Sequence, residues 1–246
     1  MGNGHVLGVI PARLESERFP GKVLAPVCGE PLIQHVYRRL SEASSVDQVL
    51  VATDSREVAA AVGLFGGRAV FVERPCACGS DRVAAAAAGA EAEIVVDLQG
   101  DQPLIDPADI DRTVRRLRED ARLDITTLAF PSDEASGFAS ADVVKVVPDS
   151  HGRALYFSRE PTPNAPQSVA GKPLYLHHVG IYCFRRESLE RFARLPRGIL
   201  ERRESLEQMR ALEAGMVIGL VVTERQTPAV DRPTDIALVE RLLTCR

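Results

Sequence analysis

The stretch Pro11-Ala12-Arg13-Leu14-Glu15-Ser16-Glu17-Arg18-Phe19-Pro20-Gly21-Lys22 places three cations within ten residues. Two guanidinium forks can grip phosphate oxygens in pairs, a lysine adds a mobile point charge, and a glycine lets the backbone come close. That is chemistry suited to a polyphosphate. The competing reading is a solvated loop whose charge Glu15 and Glu17 offset. Two familiar phosphate patterns are absent. Ser16 stands where a G-x-x-x-x-G-K-[ST] run needs its first glycine, and Val23 follows Lys22. Gly2 and Gly4 precede the first apolar run instead of following it, against a dinucleotide fingerprint.

A second candidate is Val95-Val96-Asp97-Leu98-Gln99-Gly100-Asp101-Gln102-Pro103, an apolar strand ending in a polar turn that carries Asp101 over the edge of a sheet. A carboxylate there suits a hard cation. Mg²⁺ takes one or two protein carboxylates and fills its other positions with phosphate oxygens and water, so a partner acid is expected elsewhere. Asp231, in Ala229-Val230-Asp231-Arg232-Pro233-Thr234-Asp235 just before a helix, is that partner or else a turn former or helix cap. Cys76-Ala77-Cys78 offers half of a soft-metal site, but no second close pair completes it. The five cysteines, at 28, 76, 78, 183 and 245, are odd in number and fit reduced thiols in a cytoplasm.

These residues need a scaffold. Short apolar, β-branched runs at Val6–Ile10, Val49–Ala52, Ala69–Val72, Ile94–Leu98, Ile125–Leu128 and Val143–Val147 predict strands. Helical spacing of apolar residues predicts helices over 31–41, 55–65, 80–90 and 107–120. The alternation predicts an α/β fold with a mostly parallel sheet flanked by helices. Such a sheet binds ligands beyond the carboxyl ends of its strands, which points to residues 11–22, 53–54, 73–82 and 99–103. After Asp149 the pattern predicts strands at Tyr156-Phe157 and Ile181-Tyr182, a charged helix over 201–213, a strand over 216–222 and a last helix over 235–243. No linker divides the chain, so the expectation is a single domain over 1–246 with 150–215 as a smaller inserted layer for acceptor binding or dimer formation.

Composition narrows the partners. With 30 basic against 34 acidic side chains the formal charge is −4, against a field for nucleic acid or an anionic membrane. The longest apolar run, Val83 to Ala90, is far short of the roughly 20 residues a spanning helix needs. The start, Met1 to His5, lacks a basic leader, and Val6 stands where a myristoylation signal wants Ser or Thr.

Taken in order, P-A-R-x-x-S-x-R-x-P-G-K at 11–22, T-D at 53–54, G-S-D-R at 79–82, Q-G-D at 99–101, V-K-V-V at 144–147, A-L-Y-F-S-R at 154–159, H-V-G-I-Y at 178–182, L-E-Q-x-R at 206–210 and V-D-x-P-x-D at 230–235 resemble the 3-deoxy-D-manno-octulosonate (Kdo) cytidylyltransferases. The match runs over almost the whole chain. Sialate cytidylyltransferases are similar relatives, but their first loop reads R-G-G-S-K, unlike residues 13–18 here.

The resemblance implies a Rossmann-like nucleotidyltransferase fold, a cytoplasmic homodimer, and a Mg²⁺-dependent transfer of CMP from CTP to an acidic sugar with release of pyrophosphate. It implies that Ala12, Arg13, Arg18 and Lys22 line the triphosphate and that Ser80, Arg82 and Gln99 surround the nucleoside, Gln99 also meeting the acceptor. Asp101 and Asp231 would hold Mg²⁺, and Arg159, His178, Tyr182, Glu207 and Gln208 would face the acceptor, with Arg18, Lys22 and Asp101 closest to the chemistry. The chain departs from the family pattern at several places. Cys76 and Cys78 replace His and Ser, Asp97 replaces Asn, Gln102 replaces Glu, His177 replaces Arg, and Thr162-Pro163-Asn164-Ala165 lacks an arginine.

These departures leave the acceptor open between Kdo, another ulosonate, an amino-sugar variant and a phosphonate. Independently, the residues leave room for a catalytically silent nucleotide-binding module, or for a metal-dependent glycosyltransferase, although Asp97-x-x-x-Asp101 is not the D-x-D spacing of the latter.

Overall fold

The structure, a computed structural model, describes residues 4–16, 18–163 and 173–244. Met1, Gly2, Glu17, Asn164, Ala165 and Cys245, named above, lie outside the described residues. The chain groups into two compact units, one formed by residues 1–111 and 227–246 and the other by 112–226. The segment 150–215, expected as an insertion, falls within the second.

The first unit opens with β1 (Val6–Ala12), buried along its whole length. A short 3₁₀ turn at Lys22–Leu24 leads to a two-stranded hairpin, β2 (Pro26–Val27) and β3 (Glu30–Pro31), and then to helix α1 (Leu32–Ser41). Strand β4 (Gln48–Thr53), helix α2 (Arg56–Leu64), strand β5 (Ala69–Phe71), helix α3 (Gly79–Ala87), strand β6 (Ile94–Leu98) and helix α4 (Pro107–Glu119) follow. Ser55 caps α2, its hydroxyl accepting from the Val58 amide at 3.2 Å, which satisfies a donor the first helical turn leaves unpaired.

Strand β1 pairs in parallel with β4 on one side and β6 on the other, and β5 adds in parallel beyond β4. The spatial order β6-β1-β4-β5 reverses direction at β1. Crossover helices cover such a sheet on both faces, so β1 and β6 read in sequence as unbroken apolar runs. The reversal leaves a crevice outside the carboxyl ends of β1 and β6, where an open α/β sheet takes its ligand.

The second unit contains β7 (Ile125–Ser132), a short helix α5 (Ala135–Ala139), β8 (Lys145–Pro148), β9 (Ala154–Ser158) and the long β10 (Tyr175–Arg185). Helices α6 (Arg186–Arg194), α7 (Ile199–Glu204) and α8 (Gln208–Glu213) and strand β11 (Ile218–Val222) complete it. Here antiparallel pairing prevails, β10 with β7 and β8 and β8 with β9, while β11 joins β7 in parallel. The single charged helix expected over 201–213 is two helices, because Ser205 adopts a left-handed conformation (φ 54°) that ends α7. Its charges are not all solvated either. Glu201 is buried and accepts from Arg210 Nη2 at 2.7 Å and Nε at 2.8 Å.

The chain then returns to the first unit through a 3₁₀ turn, Pro233–Asp235, and α9 (Ile236–Thr244). Val230 and Val239 bury themselves with Val27, Leu32 and Leu104. That apolar anchor sets Asp231 beside the turn after β6.

Candidate active site

Between Leu14 and Gly21 the first loop closes on itself, the Gly21 amide donating to the Leu14 carbonyl at 2.9 Å. Gly21 has φ +73°, a conformation that favours glycine and turns the chain into the 3₁₀ turn beginning at Lys22. Lys22 therefore points its ammonium at the turn after β6. Its Nζ lies 2.8 Å from Asp101 Oδ2 and 4.0 Å from Asp231 Oδ1. Arg18 Nη2 donates to Asp231 Oδ1 at 2.9 Å.

The two acids, far apart in sequence, are tied together through the backbone. The Val230 amide donates to the Asp101 carbonyl at 3.0 Å. Asp235 caps the turn that follows, its Oδ2 accepting from the amides of Asp231 and Arg232 at 2.8 and 2.7 Å. The Asp231 carboxylate faces Arg18 and Lys22.

Two carboxylates converging on one ammonium make a cradle for positive charge. Asp101 and Asp231 supply hard oxygens in the small number that Mg²⁺ takes from protein, leaving its other positions to phosphate and water. Among the described residues no cluster of three or more His, Cys, Asp or Glu side chains forms a cage. The donor set fits a metal held jointly with a phosphorylated ligand.

Beside this cluster is a cleft of about 130 Å³ lined by Pro11, Ala12, Arg13, Cys76, Ala77, Cys78, Gly79, Arg82 and Gln99. These residues end or follow β1, β5 and β6, the strand ends singled out from the sequence. Arg13 is exposed and makes no hydrogen bond or ion pair with the described residues. Arg82 is buried. Its Nη2 donates to Asp54 Oδ2 at 2.6 Å, while Nη1, also buried, has no partner among the described residues. A buried guanidinium N–H without an acceptor is costly, so it marks a place where a ligand oxygen or ring nitrogen belongs.

Burial pushes the Cys76 thiol above its usual range, against the opposing pull of Arg82 and Arg74. At neutral pH it is a neutral wall of the cleft, not a nucleophile or a charge that would repel phosphate.

Of the residues expected around the nucleotide, Ala12, Arg13, Arg82 and Gln99 line one cleft, and Arg18 and Lys22 lie with Asp101 and Asp231. Ser80 sits beneath, buried, its hydroxyl donating to Asp97 Oδ2 at 2.7 Å. Asp54 falls in the strand end 53–54 to which the sequence points, but neither it nor Asp97 was assigned a role there. The signal for Asp54 was its place just past β4, and for Asp97 a charge inside an otherwise apolar strand.

Apart from Gln99, which lies in the first unit, the residues expected at the acceptor belong to the second unit. His178 and Tyr182 are buried on β10 with ring centroids 5.4 Å apart. The Thr127 hydroxyl donates to the Ile181 carbonyl at 2.6 Å, so at 2.9 Å from His178 Nε2 it must accept, and His178 carries its proton on Nε2. Burial, and to a lesser degree neighbouring His177, push His178 down to about 3. His177 is held at about 4 by burial first and Lys145 second, with Glu134 opposing. Both rings are neutral at pH 7.

Arg159 is fastened to carbonyls, donating from Nε to Glu204 at 3.2 Å and from Nη1 to Ala141 at 2.9 Å. Lys145, fully buried, locks the same corner by donating to the carbonyls of Ser140, Val143 and Arg159 at 2.6, 2.9 and 2.7 Å. Burial lowers its ammonium from the ordinary lysine range. Glu207 and Gln208 open α8, which packs on β9. Gln208 is buried with Nε2 unpartnered among the described residues, whereas Leu206 and Met209 are core.

Comparison with known proteins identifies the family. A family model described as cytidylyltransferase matches residues 7–218. The chain is 44% identical over 241 residues to the 3-deoxy-manno-octulosonate cytidylyltransferase of Syntrophobacter fumaroxidans, covering 97% of this chain and 96% of that one. It is 44% identical over 247 residues to the protein of the same name from Geotalea uraniireducens, covering 96% and 98%. A solved structure of CMP:2-keto-3-deoxy-manno-octonic acid synthetase complexed with CTP superposes with a TM-score of 0.90 at 38% identity, covering 98% and 99% of the two chains. A cytidylyltransferase from Leptospira borgpetersenii, 19% identical, shares the fold with a TM-score of 0.65, covering 99% of this chain and 88% of that one.

Proposed function

The chain belongs to the cytidylyltransferase family, among the 3-deoxy-manno-octulosonate enzymes, and from that premise we propose how its residues divide the work of moving CMP from CTP to the sugar acid. The chief obstacle is charge. An anionic acceptor has to approach the α-phosphorus of a polyanionic nucleotide, and transfers at phosphorus need positioning and charge stabilisation more than covalent help. The observation that carries the assignment is the juxtaposition of Lys22 with Asp101 and Asp231 next to the cleft lined by Arg13, Arg82 and Gln99.

Arg13 and Arg18 hold the phosphates that leave as pyrophosphate. Lys22 shifts from its carboxylates to the phosphate on which charge develops. Arg82 donates from Nη1 to the base, and the cleft walls exclude water from it. Asp101 and Asp231 are the residues that would hold Mg²⁺, which when bound supplies charge neutralisation at the phosphates and polarises an attacking hydroxyl. The acceptor residues other than Gln99 are carried by the second unit. We assign the carboxylate of the acid to Arg159 and its hydroxyls to His178, Tyr182, Glu207 and Gln208. His178, with Nδ1 as a lone-pair acceptor, receives a sugar O–H.

Kdo is the acceptor we assign, on the strength of the relatives' names. Exposed Leu155 and Ile199 on the second unit are apolar side chains that a second copy would cover, in keeping with a homodimer, which light scattering tests. No helix among the described residues is long and apolar enough to cross a membrane. The free thiols Cys28, Cys76, Cys78 and Cys183 support a reducing cytoplasm as the compartment.

The test is pyrophosphate release from CTP and Mg²⁺ with a panel of acids: Kdo, other ulosonates, amino-sugar variants and phosphonates. Release that requires Kdo is expected. Release with another acid alone reassigns the acceptor, and nucleotide binding without release by any of them means a silent binding module.

A further inference from the structure

Glu204 is the last residue of α7, and its side chain turns to β9. Oε1 accepts from the Tyr156 hydroxyl at 3.0 Å, and Oε2 accepts from the Ser158 hydroxyl and the Arg159 amide, both at 3.1 Å. The Ser158 hydroxyl in turn accepts from the Glu160 amide at 3.0 Å, which leaves its own proton for Glu204. The Glu204 main chain takes part as well. Ser205 turns left-handed directly after it, and the last carbonyls of a helix lack partners within the helix. The Glu204 carbonyl finds one in Arg159 Nε at 3.2 Å.

One residue thus grips Arg159 at its amide and at its Nε. Elsewhere Nη1 donates to the Ala141 carbonyl at 2.9 Å, and the Lys145 ammonium holds the Arg159 carbonyl at 2.7 Å. Nη2 makes no hydrogen bond with the described residues. The half-buried guanidinium therefore keeps N–H donors for a ligand, in a plane that the bonds to Nε and Nη1 already fix. Charge-assisted N–H bonds from such a fork suit a carboxylate.

We propose that Glu204 is a positioning residue for the acid acceptor, holding Arg159 in a geometry that leaves Nη2 open so that the sugar acid meets a guanidinium already ordered. A loose arginine has many rotamers to lose when it grips a ligand, and one ordered beforehand loses fewer. The Glu204 carboxylate accordingly sets affinity for the acid and not for the nucleotide. The inference rests on Arg159 meeting the acid group.

The test compares E204A, R159A and the double variant, each checked for an intact melting transition, with Kdo as the probe at saturating CTP and Mg²⁺. E204A removes the carboxylate while the main-chain bond to Nε persists. It should lower kcat/KM for Kdo about tenfold or more, through KM and not through kcat, with the affinity for CTP unchanged. Because Glu204 acts through Arg159, E204A should lower kcat/KM little further when added to R159A. Folded E204A with wild-type kcat/KM, where R159A has lost it, overturns the proposal and leaves Arg159 at the acceptor. A loss as large in the R159A background as in the wild type also overturns it, as does one that falls equally on kcat and on CTP affinity, the mark of a merely structural role. Wild-type kcat/KM in R159A removes Arg159 from the acceptor, and the proposal with it. Should E204A fail to fold, E204D keeps the charge but draws it back by one methylene. The same loss is expected, and folded E204D with wild-type kcat/KM overturns the proposal.

Discussion

Lys22 is the side chain on which the charge argument turns. In the described structure its ammonium sits between two acids, one in salt-bridge contact and the other at 4.0 Å. A cation so placed can exchange those carboxylates for phosphate as a nucleotide enters. Lys22→Ala should lower kcat by about 10²-fold or more while leaving the melting temperature close to wild type. Unchanged turnover would remove Lys22 from the mechanism. Asp101→Asn should raise the Mg²⁺ concentration needed for half-maximal rate steeply, since it replaces a charged oxygen ligand with a neutral one. A wild-type metal titration in that variant would count against the assignment. Both residues were legible in the sequence because each directly follows an apolar strand or a glycine turn. Asp97 was harder to read, because a charge within a buried run carries no sign of which neighbours it organises.

At the scale of elements, β1, β4 and β6 were visible in outline, β6 over its full range Ile94–Leu98. Parallel strands covered on both faces read as continuous apolar runs, which few other structures mimic. The region around α7 and α8 was not, for two physical reasons. Ser205 turns left-handed with no glycine to announce it, and Glu201 with Arg210 looks like solvated charge until the fold buries both. Arg210 also lies over the Phe192 ring, its Cζ 4.6 Å from the centroid. Glu201→Ala leaves that guanidinium buried without its carboxylate, and a cost of about 3–5 kcal/mol, read as a drop of about 10 °C in Tm, is expected. An unchanged Tm would mean the pair relaxes into solvent at no cost.

Strand β10 carries a pH signature of its own. His177 and His178 are held at about 4 and about 3, below the ordinary 6.5. Between those values and 6.5 the unfolded chain binds more protons than the folded one, so stability is full above about 6.5 and is lost as pH falls. Thermal melts from pH 7 to 4 should show a falling Tm, with each ring contributing up to about 1.4 kcal/mol per pH unit. Replacing both with glutamine should flatten that slope, and an equally steep slope in the double variant would assign the acid sensitivity to other groups.

For the molecule as a whole, the first unit is a parallel sheet whose strand order reverses beside its first strand, and the cations, acids and cleft all gather at that reversal. Fold class and reaction type were readable because they depend on strand ends and on fixed charge. The acceptor was less so, because its expected residues rely on a neutral histidine, carbonyl-bound Arg159 and a buried amide, whose states emerge only from packing. The most direct measurement is calorimetric titration of CTP with Mg²⁺ into the folded protein, repeated with Arg82→Ala and at raised salt. Saturable binding to one site per chain, weakened by the substitution and by salt, is the predicted result. Absence of binding by well-folded wild-type protein would contradict the claim that this crevice neutralises and holds a nucleoside triphosphate.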